Sequence, residues 1–262
     1  MQSNKSSAYP HVINRMYGVW FRHFRVYTKN LLSNGFPPFL EPLIFLAGIG
    51  LGMNNYVKEM DGLPYITYLA TGLPITAAMF TAAFECSFGT FIRLEFDKVY
   101  DGMLSAPLSV NDILIGEILW AGSKGFFFSF AVIVVVASFG LVPLPWSLSS
   151  PFVGFITGLM FATLSLFITS FVSTINHFNF YFTGLLSPMF FFSGVIFPLE
   201  NLPPVIRWFA ELLPLTHSVR MMRSLDFGRF EPMLIIDLLF IAVFTFITGW
   251  FAIRRLKKRL IK

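Results

Sequence analysis

Three ionisable residues stand inside long apolar runs of this chain: Glu85, Glu117 and Lys124. Charges at bilayer depth cost about 2.5–3.5 kcal/mol or more each, and they mark paired groups or transport pathways. At 1.5 Å per helical residue, Glu85 stands about 9 Å from the inner end of its run and Lys124 about 16 Å from the inner end of the next. A lysine side chain spans much of that difference, so Glu85 and Lys124 are placed to pair across two neighbouring helices. The alternative is that each snorkels separately, with Glu85 and Glu117 reaching the cytoplasmic interface. A second concentration of charge lies between the same two runs: residues 91–107 carry five charges, followed by a small-residue turn and an Ala-Pro stop.

Other chemistry is missing. The chain has no Gly-x-x-x-x-Gly-Lys-Ser/Thr loop to cradle phosphates, no His-Glu-x-x-His and no Gly-x-Ser-x-Gly. Its four histidines (His11, His23, His177, His217) are scattered, and its one cysteine, Cys86, excludes a disulfide framework. With no nucleophile, metal cluster or cofactor loop, the sequence argues against an enzyme and against any cofactor held by this chain.

The elements that carry these charges belong in a membrane. Of 262 residues, 55% are hydrophobic and 13% charged, against about 25% charged in soluble domains. The net charge of +5 is read as basic flanks facing anionic lipid rather than as a nucleic-acid surface. Six runs approach the roughly 20 residues a span needs: 37–57, 64–90, 112–140, 151–173, 178–198 and 231–253. The polar N-terminus lacks the short apolar core of a cleavable signal peptide. Lys and Arg count thirteen on the side holding the N-terminal arm, the 91–111 loop and the C-terminal tail, and five on the other. This places both termini in the cytoplasm. The expected fold is therefore all-α and integral to the membrane, one domain over 1–262 with six spans.

Accessory helices are also expected. In residues 12–30 an apolar aromatic stripe that includes Trp20 faces away from Arg15, Arg22 and Lys29, the pattern of a helix lying in the membrane interface. It could also pack on the bundle. Residues 200–227 read as two short helices: Pro203 and Pro204 suit the start of the first, Pro214 ends it, and Arg220 and Arg223 share a polar side of the second. Neither is long enough to span, so both are expected as outer re-entrant helices. The patterns Gly48-x-x-x-Gly52 and Gly154-x-x-x-Gly158 permit close helix contact.

Three stretches then carry a resemblance: Tyr65-Ile-Thr-Tyr-Leu-Ala-Thr-Gly-Leu running to Ala83-Phe-Glu85; Tyr100-Asp-Gly-Met-Leu-Ser-Ala-Pro-Leu-Ser-Val-Asn-Asp-Ile-Leu-Ile-Gly-Glu117; and Ser187-Pro-Met-Phe-Phe-Phe-Ser-Gly-Val-Ile-Phe-Pro198 with Leu202-Pro203, Leu213-Pro-Leu-Thr-His-Ser218 and Arg220. Over nearly its whole length the chain resembles the membrane subunits of type-two ABC exporters. The permeases of nodulation-factor (lipo-oligosaccharide) exporters are nearest, and polysaccharide, teichoic acid and drug-export permeases more distant. The resemblance implies that Leu94 to Ser105 is a coupling helix docking on a separate ATPase that binds ATP and Mg. Two ATPase copies and a second permease copy, as a homodimer, would complete the exporter. The implied ATPase contacts are Glu95, Asp97, Lys98, Tyr100, Asp101 and Leu104. The implied outer gate includes Pro198, Pro203, Trp208, Pro214 and Arg220. Many relatives carry a Glu and a basic residue directly before the coupling turn, whereas here Lys98 and Asp101 straddle Val99-Tyr100. The implied cargo is amphiphilic or glycan-bearing, moved out across a bacterial inner membrane. The alternatives are a drug-efflux permease of the same family, an ion-gradient transporter using Glu85, Glu117 and Lys124, and a structural anchor.

Overall fold

The computed structural model describes residues 10–54 and 56–260. Lys5 and Lys262, both used in the charge count, lie outside them. The chain is built from α-helices, here numbered α1 (Val12–Thr28), α2 (Leu31–Gly35), α3 (37–54), α4 (Tyr65–Phe96), α5 (Val99–Leu104), α6 (Val110–Ser138), α7 (Trp146–Thr169), α8 (178–192), α9 (Pro204–Glu211), α10 (Pro214–Asp226) and α11 (Met233–Leu260). Between α3 and α4, Glu59–Met60 pairs antiparallel with Leu63–Pro64. Its two-residue turn has Asp61 at φ 53° and Gly62 at φ 71°, the left-handed pair that an Asp-Gly hairpin turn requires.

Four helices are long and apolar enough to cross a membrane: α4, α6, α7 and α11. The two remaining segments of the six expected do not meet both conditions. Segment α3 contains Pro37, Pro38 and Pro42 as well as Glu41. Helix α8 runs unbroken from 178 to 192, about 22 Å at the helical rise, and Ser193 and Gly194 end it. Among the described residues, four helices are therefore candidate spans by length and composition.

The core is the packing of α4, α6 and α7 on one another, with α11 against α7 and α1 against α6. Small residues set the closest approach. A methyl group added to Gly125 would stand 2.6 Å from the Gly154 carbonyl oxygen, and one on Gly158 would stand 3.0 Å from the Gly122 Cα. The Gly154-x-x-x-Gly158 pattern thus meets Gly122 and Gly125 of the preceding span. Gly48 and Gly52 have open space where a side chain would go, so that pair makes no close contact within the chain.

Helix α1 packs on the bundle, burying Val19 and His23. Val19 fits against Gly116, where an added methyl would stand 2.7 Å from its Cβ. Trp20 donates from Nε1 to Ser123 Oγ at 2.9 Å. The expected basic back is divided: Arg15 pairs with Asp112 at 3.0 Å, and Arg22 is half-buried. Ile13, Tyr17, Phe21 and Phe24 stay exposed, so the helix combines bundle packing with an uncovered aromatic face.

Candidate functional site

Two π-helical turns, Glu85–Gly89 and Ile92–Phe96, interrupt the inner part of α4. Such turns shift the register of side chains on a helix and occur at functional sites. Here Glu85, Thr90 and Arg93 lie on the side facing α6. Arg93 is the centre: NH1 lies 2.8 Å from Glu85 Oε1, and Nε lies 2.9 Å from Glu117 Oε1. NH2 donates to the Glu85 carbonyl at 3.2 Å and to Thr90 Oγ1 at 3.3 Å. Lys124 Nζ stands 3.0 Å from Glu85 Oε2, and Thr90 donates to Glu117 Oε2 at 3.1 Å. Two carboxylates and two cations therefore form one balanced cluster, with Glu117 fully buried. Glu117 is held by Arg93 and Thr90 instead of reaching the interface alone.

Helix α1 closes the cluster. The ring of His23 sits 3.6 Å from Glu117 Oε1. Burial lowers the His23 pKa to about 4, outweighing the pull of Glu117, so at neutral pH this is a contact with a neutral ring and not an ion pair. Tyr27 lies 5.4 Å below Lys124 Nζ, in cation–π range.

Arg93 shifts the boundary of the expected coupling element. Residues 91–96 continue α4, and the separate helix is only Val99–Leu104. Lys98 makes the break between them, with φ 51° and ψ 31°, a left-handed conformation uncommon outside glycine. The period of α5 then sorts its residues. Asp97, Lys98 and Asp101 are exposed. Tyr100 is 1% exposed and packs with Val19, Leu94, Met103 and Ile113. It is therefore withdrawn from the expected ATPase contacts, since it faces inward. Burial beside Glu117 pushes its hydroxyl well above the usual tyrosine range. Leu104 is half-buried against the core. Glu95 pairs with Arg259 at 2.8 Å and reaches Lys98 at 3.9 Å, so part of its charge is spent inside the chain. After α5, Ser109 caps α6: its amide donates to Asp112 Oδ2 at 2.8 Å and the Asp112 amide donates back to Ser109 Oγ at 3.3 Å, a capping box. Asp112 also holds Arg15. The short helix is thus fastened to α4, α6 and α1.

At the other end, the start of α4, the segment that follows α8, and helices α9 and α10 surround a polar cavity of about 300 Å³ lined by Tyr68, Ser193, Pro198, Arg220, Arg223 and their neighbours. Arg220 Nη1 stands 3.0 Å from both carboxylate oxygens of Glu211, and its Nη2 donates to Asp237 Oδ1 of α11 at 2.7 Å. His217 shares Asp237 at 2.8 Å and stacks on Phe240 at 3.7 Å. Arg223 lies over the Tyr68 ring at 3.7 Å and donates to Tyr68 Oη at 2.7 Å, to Thr71 Oγ1 at 3.2 Å and to the Val195 carbonyl at 3.2 Å. Burial pushes the Asp226 carboxyl up to about 7. The prolines punctuate the region: Pro198 precedes a short turn, Pro203 caps α9 and Pro214 opens α10. Trp208 is 79% exposed on α9.

Sequence reasoning missed Arg93, Asp237 and the Ser109–Asp112 cap. The cap was legible as Ser-x-x-Asp ahead of an apolar run. Arg93 was hidden by its place in the charged segment, and Asp237 by its place near the start of a span. No group of three or more His, Cys, Asp or Glu positioned for a metal occurs among the described residues.

The sequence has known relatives. The family description "ABC-2 type transporter" matches residues 15–227. "Nodulation protein J" of Sinorhizobium fredii is 31% identical over 243 residues, 93% of each chain. Its namesake in Rhizobium leguminosarum bv. trifolii is 34% identical over 210 residues, 80% of each. The "Inner membrane transport permease YadH" of Escherichia coli is 22% identical over 205 residues, 77% of this chain and 78% of its own. By the extent of these matches and by its apolar helices, the chain is a membrane subunit, a transport component, of the ABC-2 type transporter family.

Proposed function

We propose that this chain is the permease of an ATP-driven exporter that moves an amphiphilic or glycan-bearing molecule (lipo-oligosaccharide, glycolipid or polysaccharide) out across the bacterial inner membrane. Two copies form the path. Six segments cross, with α3 and α8 completing the four long spans, and both termini face the cytoplasm. Two ATPase subunits, carrying ATP and Mg, dock on the exposed Asp97, Lys98 and Asp101. The observation that carries this reading is the fastening of α5. A short helix with a solvated face lies between two spans: its Tyr100 and Met103 pack with Leu94 of α4 and Ile113 of α6, and the Arg93–Glu117 pair ties those two spans to each other. Force applied to α5 by a closing ATPase pair therefore moves α4 and α6 together. The outer helices α9 and α10, with Arg220 held between Glu211 and Asp237, then act as the exit gate. Relatives named as nodulation proteins favour a lipo-oligosaccharide cargo.

A drug-efflux cargo is the second reading. Its support is the aromatic wall of Phe84, Phe88, Phe178 and Phe182, with ring centroids as close as 4.4 Å and Phe84 half-exposed. An ion-gradient transporter using Glu85, Glu117 and Lys124 is disfavoured by the cluster itself, whose carboxylates are already matched by Arg93 and Lys124.

The test is co-expression with an ATPase encoded beside this chain, followed by copurification and ATPase stimulation across glycolipids and hydrophobic drugs. Charge reversal at Asp97, Lys98 and Asp101 is expected to release the ATPase while leaving the permease folded. Proton-driven transport by this chain alone would overturn the reading.

A further inference from the structure

On the flank of the bundle, the ends of α7 and α11 bound an open groove of about 950 Å³. Its floor is aromatic, from Phe167 of α7, Phe171 in the turn just after it, and Trp250 and Phe251 of α11; its rim is basic, from Arg254, Arg255, Lys257 and Lys258. The helical period explains the arrangement. At about 100° per residue, positions 250, 251, 254, 255, 257 and 258 share one arc of about 160°. Ala252 and Leu256 fall on the opposite arc and are buried.

Arg259 shows what a structural arginine does here. It lies toward the core, donates to the carbonyls of Thr169 and Val172 at 3.1 and 2.8 Å, and pairs with Glu95. The four rim cations differ: none has an ion-pair partner among the described residues. Arg254 lies 3.8 Å over the Trp250 ring and Arg255 lies 3.8 Å over the Phe171 ring. Stacking fixes both guanidinium planes without neutralising them and leaves their N–H edges free for a planar bidentate acceptor. Only 17% of the most apolar stretch of α11 is buried within the chain, which leaves this flank open to acyl chains.

We propose that the groove binds one anionic phospholipid: its phosphate sits between Arg254 and Arg255, its head group meets Lys257 and Lys258, and its chain lies on Phe167, Trp250 and Phe251. A soluble anion would use the rim and leave the aromatic floor uncovered, whereas an anionic lipid matches both. The leaflet, cytoplasmic, rests on the topology proposed above; the site itself does not.

The experiment uses the full chain purified in neutral detergent. Thermal stabilisation and native mass spectrometry are compared for phosphatidylglycerol, phosphatidylcholine with the same chains, and glycerol phosphate. Phosphatidylglycerol is expected to bind and stabilise, and the other two not. R254Q/R255Q and K257Q/K258Q are each expected to weaken binding, by about fivefold per cation removed. R25Q/K29Q, which removes the same charge from α1, is expected to leave it intact. R254K/R255K keeps the charge but loses the stacked planes and is expected to bind at an intermediate level, which keeps the test open if the neutral variants fold poorly. Equal binding of phosphatidylcholine, equal stabilisation by glycerol phosphate, or equal loss in R25Q/K29Q would each overturn the site. So would a fourfold neutral variant that keeps phosphatidylglycerol and instead loses a copurifying ATPase.

Discussion

At the scale of single residues, Arg93 does the most. It bridges Glu85 and Glu117, and removing one member of a buried ion network leaves an uncompensated charge, at about 3–5 kcal/mol. Arg93→Met leaves Glu85 paired with Lys124 but strands the buried Glu117, whose other near neighbours are the neutral His23 and Thr90, while Lys124→Met leaves both carboxylates paired with Arg93. Thermal unfolding in detergent should therefore rank Arg93→Met as the more damaging, and a reversed order would contradict the central place given to Arg93. Two other residues make opposite pH predictions. Asp226 titrates at about 7 in the fold against an ordinary 3.8. The folded state binds that proton more tightly, so its contribution is fully present below about pH 4 and is lost as pH rises through about 7. His23 titrates at about 4 against 6.5. Its contribution is present above about pH 6.5 and is lost as pH falls through about 4. Asp226→Asn should flatten the decline in melting temperature between about pH 4 and about pH 7, and His23→Gln the decline below about pH 6.

Helices add constraints that no single residue carries. Lys98 begins α5 with φ 51°, where a glycine is unstrained and a β-branched residue is not. Lys98→Gly should keep the fold, while Lys98→Val should lower stability by about 1–3 kcal/mol, read as a shift in the unfolding midpoint. At the crossing of α6 and α7, Gly125 and Gly154 leave no room for a side chain. Gly125→Leu should destabilise by about 1–3 kcal/mol or more through overpacking, whereas Gly48→Leu, in open space, should be nearly neutral. Equal effects at the two sites would contradict the assignment of the crossing. The same helices show why element types were easier to read than their limits. A π turn keeps the chain helical while rotating the residues that follow, so α4 runs on to Phe96 and carries Arg93 back over Glu85. Nothing in the charge pattern of 91–107 distinguishes that arginine from the solvated charges beyond it.

For the whole molecule, the proposed topology sets one face against the other. Cys86 is the single cysteine and is buried, so a Cys86→Ser background accepts single reporter cysteines. Cysteines at Asp101 and Lys258 should label from the cytoplasmic side, and those at Asp61 and Trp208 from the outside; an odd number of crossings between α5 and the C-terminus would put Asp101 and Lys258 on opposite sides. Composition alone determined that the chain is apolar and helical. Its long runs located the four strong spans, because burial in hydrocarbon needs continuous apolar length whatever the neighbours are. Proline spacing located α9 and α10, because the ring limits the backbone locally. The partners of Arg93, Arg220 and Arg223 were decided only by the tertiary structure. So was the inward turn of Tyr100, which sequence treated as a docking residue. Each depends on side chains from helices far apart in the chain meeting where water is scarce, and a buried charge takes whichever partner the packing brings within reach.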